Sequence, residues 1–459
     1  MKYLTGTKCA SWALLLAFLL AGRGPSTAEP GPWSQSSITL EVLWDDFLRV
    51  TSSRPPKRNA PPESPTWGWL SGDWQAQRIT GNWNGARDRL ESEGISFTLD
   101  YLGQFAANPV GGVIEGGASW TGDWSLGLRM DLDRQFALPF PVYVTTSVGI
   151  LDGSDALSDT HIGNVMDVQV SDLDGRWFQP KVVYLAVGAQ LFDQTTEVLA
   201  GRIVTFDDFA TFAKACTSMN GSICGNPVAG QFDITFPTDP DAVWGARVKV
   251  KPGDRWYAQA GAYLVYPGLG DPDHYGLEFG APAGSGILAI GEAGLHVGHS
   301  ANRPGLPGTY KAGYYYDTEE LTNLSTNTSE RNSWGIYGMA EQMLYSETDD
   351  YSQGLWGWFA LSYAPPLKSD VKAMAALGLS YTGLLPHRPD DTLAFVAAAS
   401  VFSEYLPGQS SEMLLELNYQ AQLLPALSVQ PGIQYIMNPS GYSTIEDAFV
   451  VGLNVSATF

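Results

Sequence analysis

Residues 448–459, AFVVGLNVSATF, alternate with a period of two. Phe449, Val451, Leu453, Val455, Ala457 and Phe459 fall on one face, and Ala448, Val450, Gly452, Asn454, Ser456 and Thr458 on the other. One face is apolar and the other mostly polar or small, the pattern of a β-strand whose two sides meet different surroundings. A chain that reaches an aromatic residue after such a strand has the usual ending of a bacterial outer-membrane barrel. An edge strand of a soluble β-sandwich carries the same local pattern, so the remaining sequence has to decide.

Charged residues make up only 16% of the 459 residues, while Gly and aromatic residues are plentiful. Soluble domains carry roughly 25% charge. A surface that faces lipid needs few charges, and its rims take Trp and Tyr. Residues 1–28 read as a secretory signal peptide: Lys2 and Lys8 at the start, an apolar run from Ala10 to Ala21 broken only by Ser11, then Ser26-Thr27-Ala28 before Glu29. That run is too short to span a hydrocarbon core of about 30 Å, and no later stretch approaches the roughly 20 apolar residues of a spanning helix. Membrane insertion would therefore use strands. The formal charge of −22 argues against nucleic acid as a partner, because phosphate binding needs clustered Lys and Arg.

Cys9 lies in the signal, leaving Cys216 and Cys224 around TSMNGSI. In an exported chain such a pair reads as a disulfide stapling one loop, with two reduced thiols as the alternative; no neighbouring Cys or His completes a metal set. Residues 29–80 are expected to form a periplasmic arm, with an amphipathic segment at 38–50 and a Pro-rich linker at 51–65. Residues 81–94 read as a short periplasmic helix begun near Asn84 and closed by Gly94.

From 95 to 459 the alternation recurs at 95–106, 123–132, 141–151, 181–192, 197–204, 243–250, 255–266, 287–299, 309–316, 334–345, 355–363, 372–384, 391–402, 411–423, 427–437 and 448–459. The expected fold is all-β, a transmembrane antiparallel up-and-down β-barrel of about sixteen strands behind a short N-terminal helix and arm. With Phe459 on the periplasmic side, every second connection faces outward. The expected outer set 107–122, 152–180, 205–242, 267–286 and 317–333 is long, and 364–371 and 403–410 are modest. The inner set includes turns at Pro425, at Pro252-Gly253-Asp254 and at 193–196. Long outer loops and short inner turns are what a barrel requires.

Several segments resemble the carbohydrate-selective porins of the OprB type. Gly81, Trp83, Gly85, Arg87, Leu90, Gly94 and Ile95 match the opening signature of that family, although Asn84 stands where Gly is common. Gly201-Arg202 with Asp208-Phe209, Leu306 to Gly313 (LPGTYKAG), Gly383 to Asp391 (GLLPHRPDD), and Glu412, Glu416, Tyr419, Gln430-Pro431 and Gln434 to Pro439 are similar to later motifs. The resemblance implies an outer-membrane porin for passive diffusion of sugars such as glucose. It implies no cofactor and leaves open a monomer or a homotrimer in lipid and lipopolysaccharide.

Alternation also names the lumen face. Arg129, Arg202, Arg247, Lys249, Gln259, Glu292, Glu412, Glu416, Asn418, Gln430 and Gln434 should point inward, as should His296 and Asn454. These side chains can replace hydrogen bonds that a sugar loses on entry, and Tyr257, Tyr263 and Trp177 offer ring faces. Binding should be weak, since a channel that holds its solute tightly does not conduct it. Either loop 152–180 or loop 205–242 could fold inward and narrow the channel. No nucleophile elbow, phosphate loop or helical zinc motif is present. The competing readings are a general or other-solute porin, a hydrolase built into a barrel, and an envelope anchor acting through 29–65.

Overall fold

The alternating segments close on themselves. The computed structural model describes residues 66–154, 156–170, 178–271, 273–298 and 305–459. Its strands are β1 Ile95–Gly112, β2 Gly117–Asp131, β3 Val142–Gly153, β4 Phe178–Leu191, β5 Thr196–Ile203, β6 Val243–Val250, β7 Trp256–Val265 and β8 Gly286–Val297. They continue as β9 Gly308–Asn323, β10 Thr328–Ser346, β11 Gly354–Tyr363, β12 Val371–Thr382, β13 Thr392–Phe402, β14 Ser411–Leu424, β15 Leu427–Met437 and β16 Glu446–Thr458. Each pairs antiparallel with its chain neighbour, and β1 pairs β16 to complete a sixteen-stranded barrel. Closure leaves no strand edge unpaired in lipid, where each unsatisfied backbone group is costly.

β6 and β15 coincide with the segments at 243–250 and 427–437. Two expectations need correction. The outer connections placed at 107–122 and 317–333 are short turns at 113–116 and 324–327, because β1, β2, β9 and β10 run on. Register pairs such as Ala107↔Ala118 and Glu330↔Leu321 carry these hairpins outward. Their sequence, for example TEELTN, lacks an apolar face because it has left the lipid. The signal and the arm up to residue 65 lie outside the described residues, as do Asp155, Arg176, Trp177 and His299.

The outward face is apolar as the period of two requires. Phe105, Trp120, Leu126, Val187, Ile287, Leu361, Phe395, Leu417, Ile433 and Leu453 are all exposed to the surroundings of the barrel. On β16 itself Val451 and Leu453 face out, whereas Val450 and Asn454 are buried inside.

The segment before β1 braces the seam between β1 and β16. The backbone N–H of Ile79 donates to Thr458 O at 2.8 Å, and both terminal nitrogens of Arg87 donate to Phe459 O at 3.3 and 3.2 Å. The Arg87 guanidinium also stacks 4.4 Å over the Trp83 ring. A single-turn 3₁₀ element at Trp83–Gly85 leads into the helix α1, Ala86–Ser92, which Gly94 follows with φ +84°. Asn84 has φ 54° and ψ 39°, a left-handed geometry that Asn tolerates better than most residues. This is why Asn can stand where relatives of the motif carry Gly.

Candidate functional site

The longest connection, residues 204–242 between β5 and β6, lies within the barrel. Its Phe209, Ala210, Ala215, Ile223, Val228 and Ala229 are fully buried, which fits a stretch far more apolar than a loop facing water. Anchors run round the wall. Ala210 N donates to Glu292 on β8 at 2.9 Å, Thr235 N and Oγ1 to Glu319 on β9 at 2.6 and 2.8 Å, and Ala229 N to Ser362 on β11 at 2.7 Å. Val371 N at the start of β12 donates to Asp233 at 2.9 Å.

Near its middle the loop carries the Cys216–Cys224 disulfide, and the residues between these cysteines make the densest contacts. The Glu416 carboxylate on β14 accepts from Met219 N at 2.7 Å, Asn220 N at 3.2 Å, Ser218 Oγ at 2.8 Å and Asn418 Nδ2 at 2.5 Å. Asn418 Nδ2 and Gln430 Nε2 both donate to Thr217 O, at 2.8 and 3.0 Å. A polar chain continues along the wall, with Gln430 donating to Asn418, Asn454 to Gln430 and Gln104 to Asn454.

The connection after β3 also turns inward. Val165 N and Met166 N donate to Glu412 at 2.8 Å each, Gln434 Nε2 donates to Val168 O at 2.9 Å, and Val170 N donates to Gln104 at 2.6 Å. Gly221 N to Asp167 O at 2.8 Å ties the two loops together.

The basic residues expected on the lumen face are engaged. Arg247 Nε meets Asp208 at 2.9 Å and its NH2 meets Glu197 at 3.3 Å, all three side chains being buried. Arg202 donates to Val182 O at 3.0 Å and lies 3.9 Å from Glu278. Arg129 pairs with Asp131 at 3.1 Å and stacks 3.7 Å over Tyr143, and Lys249 Nζ sits 5.1 Å from the Tyr257 ring centroid. Glu292 collects Tyr257, Gln259 and Tyr337 as donors at 2.7, 3.0 and 2.9 Å. Tyr263 is fully buried edge-on to Phe209.

The void beside this loop is a cavity of about 440 Å³ against β1 to β4. None of the eleven wall residues expected to meet solute lines it; the structure sets them at loop-to-wall contacts, at ion pairs and, for Lys249, over the Tyr257 ring. Its carboxylates are Asp100 and Asp123 from the wall and Asp167, Asp207, Asp239 and Asp241 from the loops, with Tyr101, Gln179, Lys181 and Phe232 among the other lining residues. Asp100 and Asp123 share the inward parity of Gln104 and Arg129 and were legible from alternation. The four loop residues were not, since only folding of the loops brings them there.

Burial pushes the Asp207 carboxyl up to about 7, the Tyr184 hydrogen bond acting against it. Asp239 is held well above the usual carboxylate range by burial and then by repulsion from Asp123, Asp207 and Asp241. Asp241 is raised by burial despite its pairing with Lys181.

Glu416 offers a direct probe of the loop attachment. In Glu416→Ala, Met219 N and Ser218 Oγ lose their acceptor, at roughly 1–3 kcal/mol for each that stays buried and unsatisfied, while Asn220 N keeps Ser218 Oγ and Asn418 Nδ2 keeps Thr217 O. The expected outcome is an intact barrel whose middle-loop segment is released, seen as a noisier single-channel current at unchanged heat stability of the barrel band.

The barrel agrees with known proteins. The model of the family described as carbohydrate-selective porin, OprB family, matches residues 115–459; the motif at 81–95 lies ahead of that range. The chain is 27% identical over 435 residues to Porin B of Pseudomonas aeruginosa, covering 86% of this chain and 92% of that one. It superposes on the high-pH structure of Pseudomonas putida OprB with a TM-score of 0.76 at 24% identity, covering 84% of this chain and 99% of that one. The low-pH structure of the same protein gives 0.54 at 22% identity with the same coverage. Family and fold describe a channel of the bacterial outer membrane rather than an enzyme. The chain belongs to the carbohydrate-selective porin family, OprB family.

Proposed function

We propose that this porin passes monosaccharides such as glucose by passive diffusion, and that solute moves through the cavity between loop 204–242 and the β1–β4 wall. The observation that carries the reading is the loop itself, pinned round the wall from β8 to β15 so that the polar cavity of about 440 Å³ is left on the opposite side. That volume lies in the range of small-molecule sites, about 300–1,000 Å³. Phe232 supplies a ring face, and Ser125, Ser222, Asn226 and Thr238 supply hydrogen-bonding groups at the same lining.

In this reading Glu412, Glu416, Asn418, Gln430 and Gln434 act on solute indirectly, by holding the narrowing loops. Arg129, Arg202, Arg247, Lys249, Gln259 and Glu292 set the charge beneath them. The apolar outer face would meet outer-membrane lipid, with lipopolysaccharide at the outer rim, and a homotrimer would bury part of that face. Residues 1–28 would leave as a signal peptide and 29–80 would remain as a periplasmic arm.

Liposome swelling tests the function. Vesicles carrying the purified protein are expected to swell with glucose and much more slowly with a disaccharide, because the cavity is sized for one ring. Equal rates for both would point to a general porin, and swelling with neither would remove the sugar reading.

A further inference from the structure

We infer that the cavity prefers sugars bearing an ammonium group, with the carboxylates around it receiving the cation and Gln179 donating to a ring hydroxyl. The inference rests on the sugar-channel reading and names the class of sugar.

Three observations carry it. First, six aspartates line the cavity, Asp100, Asp123, Asp167, Asp207, Asp239 and Asp241, against one basic side chain among the described lining residues, Lys181. Lys181 is already bound to Asp241. Secondly, three further lumen cations are engaged away from it: Arg247 with Asp208 and Glu197, Arg202 with Glu278 and Val182 O, and Lys311 with Glu292 at 3.8 Å. The charge that the cavity's carboxylates carry is therefore left for solute to meet, and low-dielectric walls focus it.

The third observation is independent of charge. Gln179 is 4% exposed, lines the same cavity, and its amide Nε2 has no hydrogen-bond partner among the described residues. A buried N–H donor left unpaired is costly, and the group that satisfies it is an oxygen acceptor. A simple metal ion cannot accept a hydrogen bond, whereas a sugar hydroxyl can. A solute that brings a hydroxyl to Gln179, an ammonium to the carboxylates and a ring face to Phe232 matches the groups at the lining. Burial raises Asp207 to about 7, and burial with repulsion raises Asp239 well above the usual carboxylate range; an ammonium among them acts in the opposite direction and favours their charged forms.

The test is a current titration of the full-length protein in a planar bilayer at about 0.1 M KCl, where the Debye length is about 10 Å, near neutral pH. Glucose, N-acetylglucosamine and glucosamine are compared by the concentration that half-blocks the current. Glucosamine is expected to act at roughly tenfold lower concentration than the other two, a ratio at the lower end of what focused fields achieve. Acetylation keeps the ring and removes the charge, so N-acetylglucosamine should resemble glucose. In the Asp123→Asn, Asp239→Asn double variant, glucosamine and glucose should converge. A KCl gradient across the wild-type channel should give a cation-selective reversal potential.

Equal half-blocking concentrations for glucosamine and glucose in the wild-type channel, or an anion-selective potential, would overturn the ammonium preference and leave the sugar channel standing. No block by any of the three sugars would remove both.

Discussion

Replacing residues 207–238 by a short Gly-Ser turn should raise the single-channel conductance several-fold and abolish block by sugar. A sixteen-stranded barrel without an infolded loop leaves an aqueous channel, and ionic current follows the open cross-section. This loop reaches the wall opposite β1–β4 at many points: Ala210 to Glu292, Thr235 to Glu319, Met219 to Glu416 and Thr217 to Gln430. The excision also removes Asp207 from the cavity lining and sits next to Asp239 and Asp241, so the confined polar wall that meets solute goes with it. The strands themselves lose no register partner, because β5 pairs β6 through Thr196↔Val250 to Ile203↔Val243 without the loop. The excised protein should still give a folded, heat-modifiable band on gels. Unchanged conductance would mean that the narrowing lies elsewhere, with the loop after β3 as the next candidate.

Removing residues 446–459 should have a larger effect on assembly. β16 pairs with β1 from Asp100↔Thr458 to Gly112↔Glu446 and with β15 from Leu427↔Ala457 to Ile436↔Ala448. Without it two strand edges face hydrocarbon, where each unpaired N–H or C=O costs several kcal/mol. The seam brace is lost as well, since Ile79 and Arg87 bond to Thr458 and Phe459. The truncated chain should accumulate unfolded and show no heat-modifiable band. A truncated chain that still inserts with wild-type heat stability would contradict closure through β16.

The wall was legible in the sequence because lipid imposes a period of two on every strand that crosses it. Phe449 to Phe459 announced this, and β6 and β15 coincide with their expected limits. The extracellular ends of β1, β2, β9 and β10 were hidden for the same reason, since strands beyond the lipid need no apolar face. The cavity was less legible. Glu416 is 197 positions from Met219, and Glu412 is 246 from Met166, so nothing local marks them as loop anchors rather than solute contacts. One signal was available: a loop containing FATFAKA and NPVAG between two strands is too apolar to face the medium, and burial is its natural outcome. Gln179 shares the inward parity of Lys181, yet that its Nε2 finds no partner among the described residues is visible only once the wall and the loops are assembled.

The central claim is that sugar and ions share one confined path beside the infolded loop. The most direct measurement is the single-channel current of the full-length protein as glucose is added. A saturable fall of the current with glucose, lost in the 207–238 excision, is the predicted result. A current that falls only in proportion to solution viscosity, equally in both proteins, would contradict it.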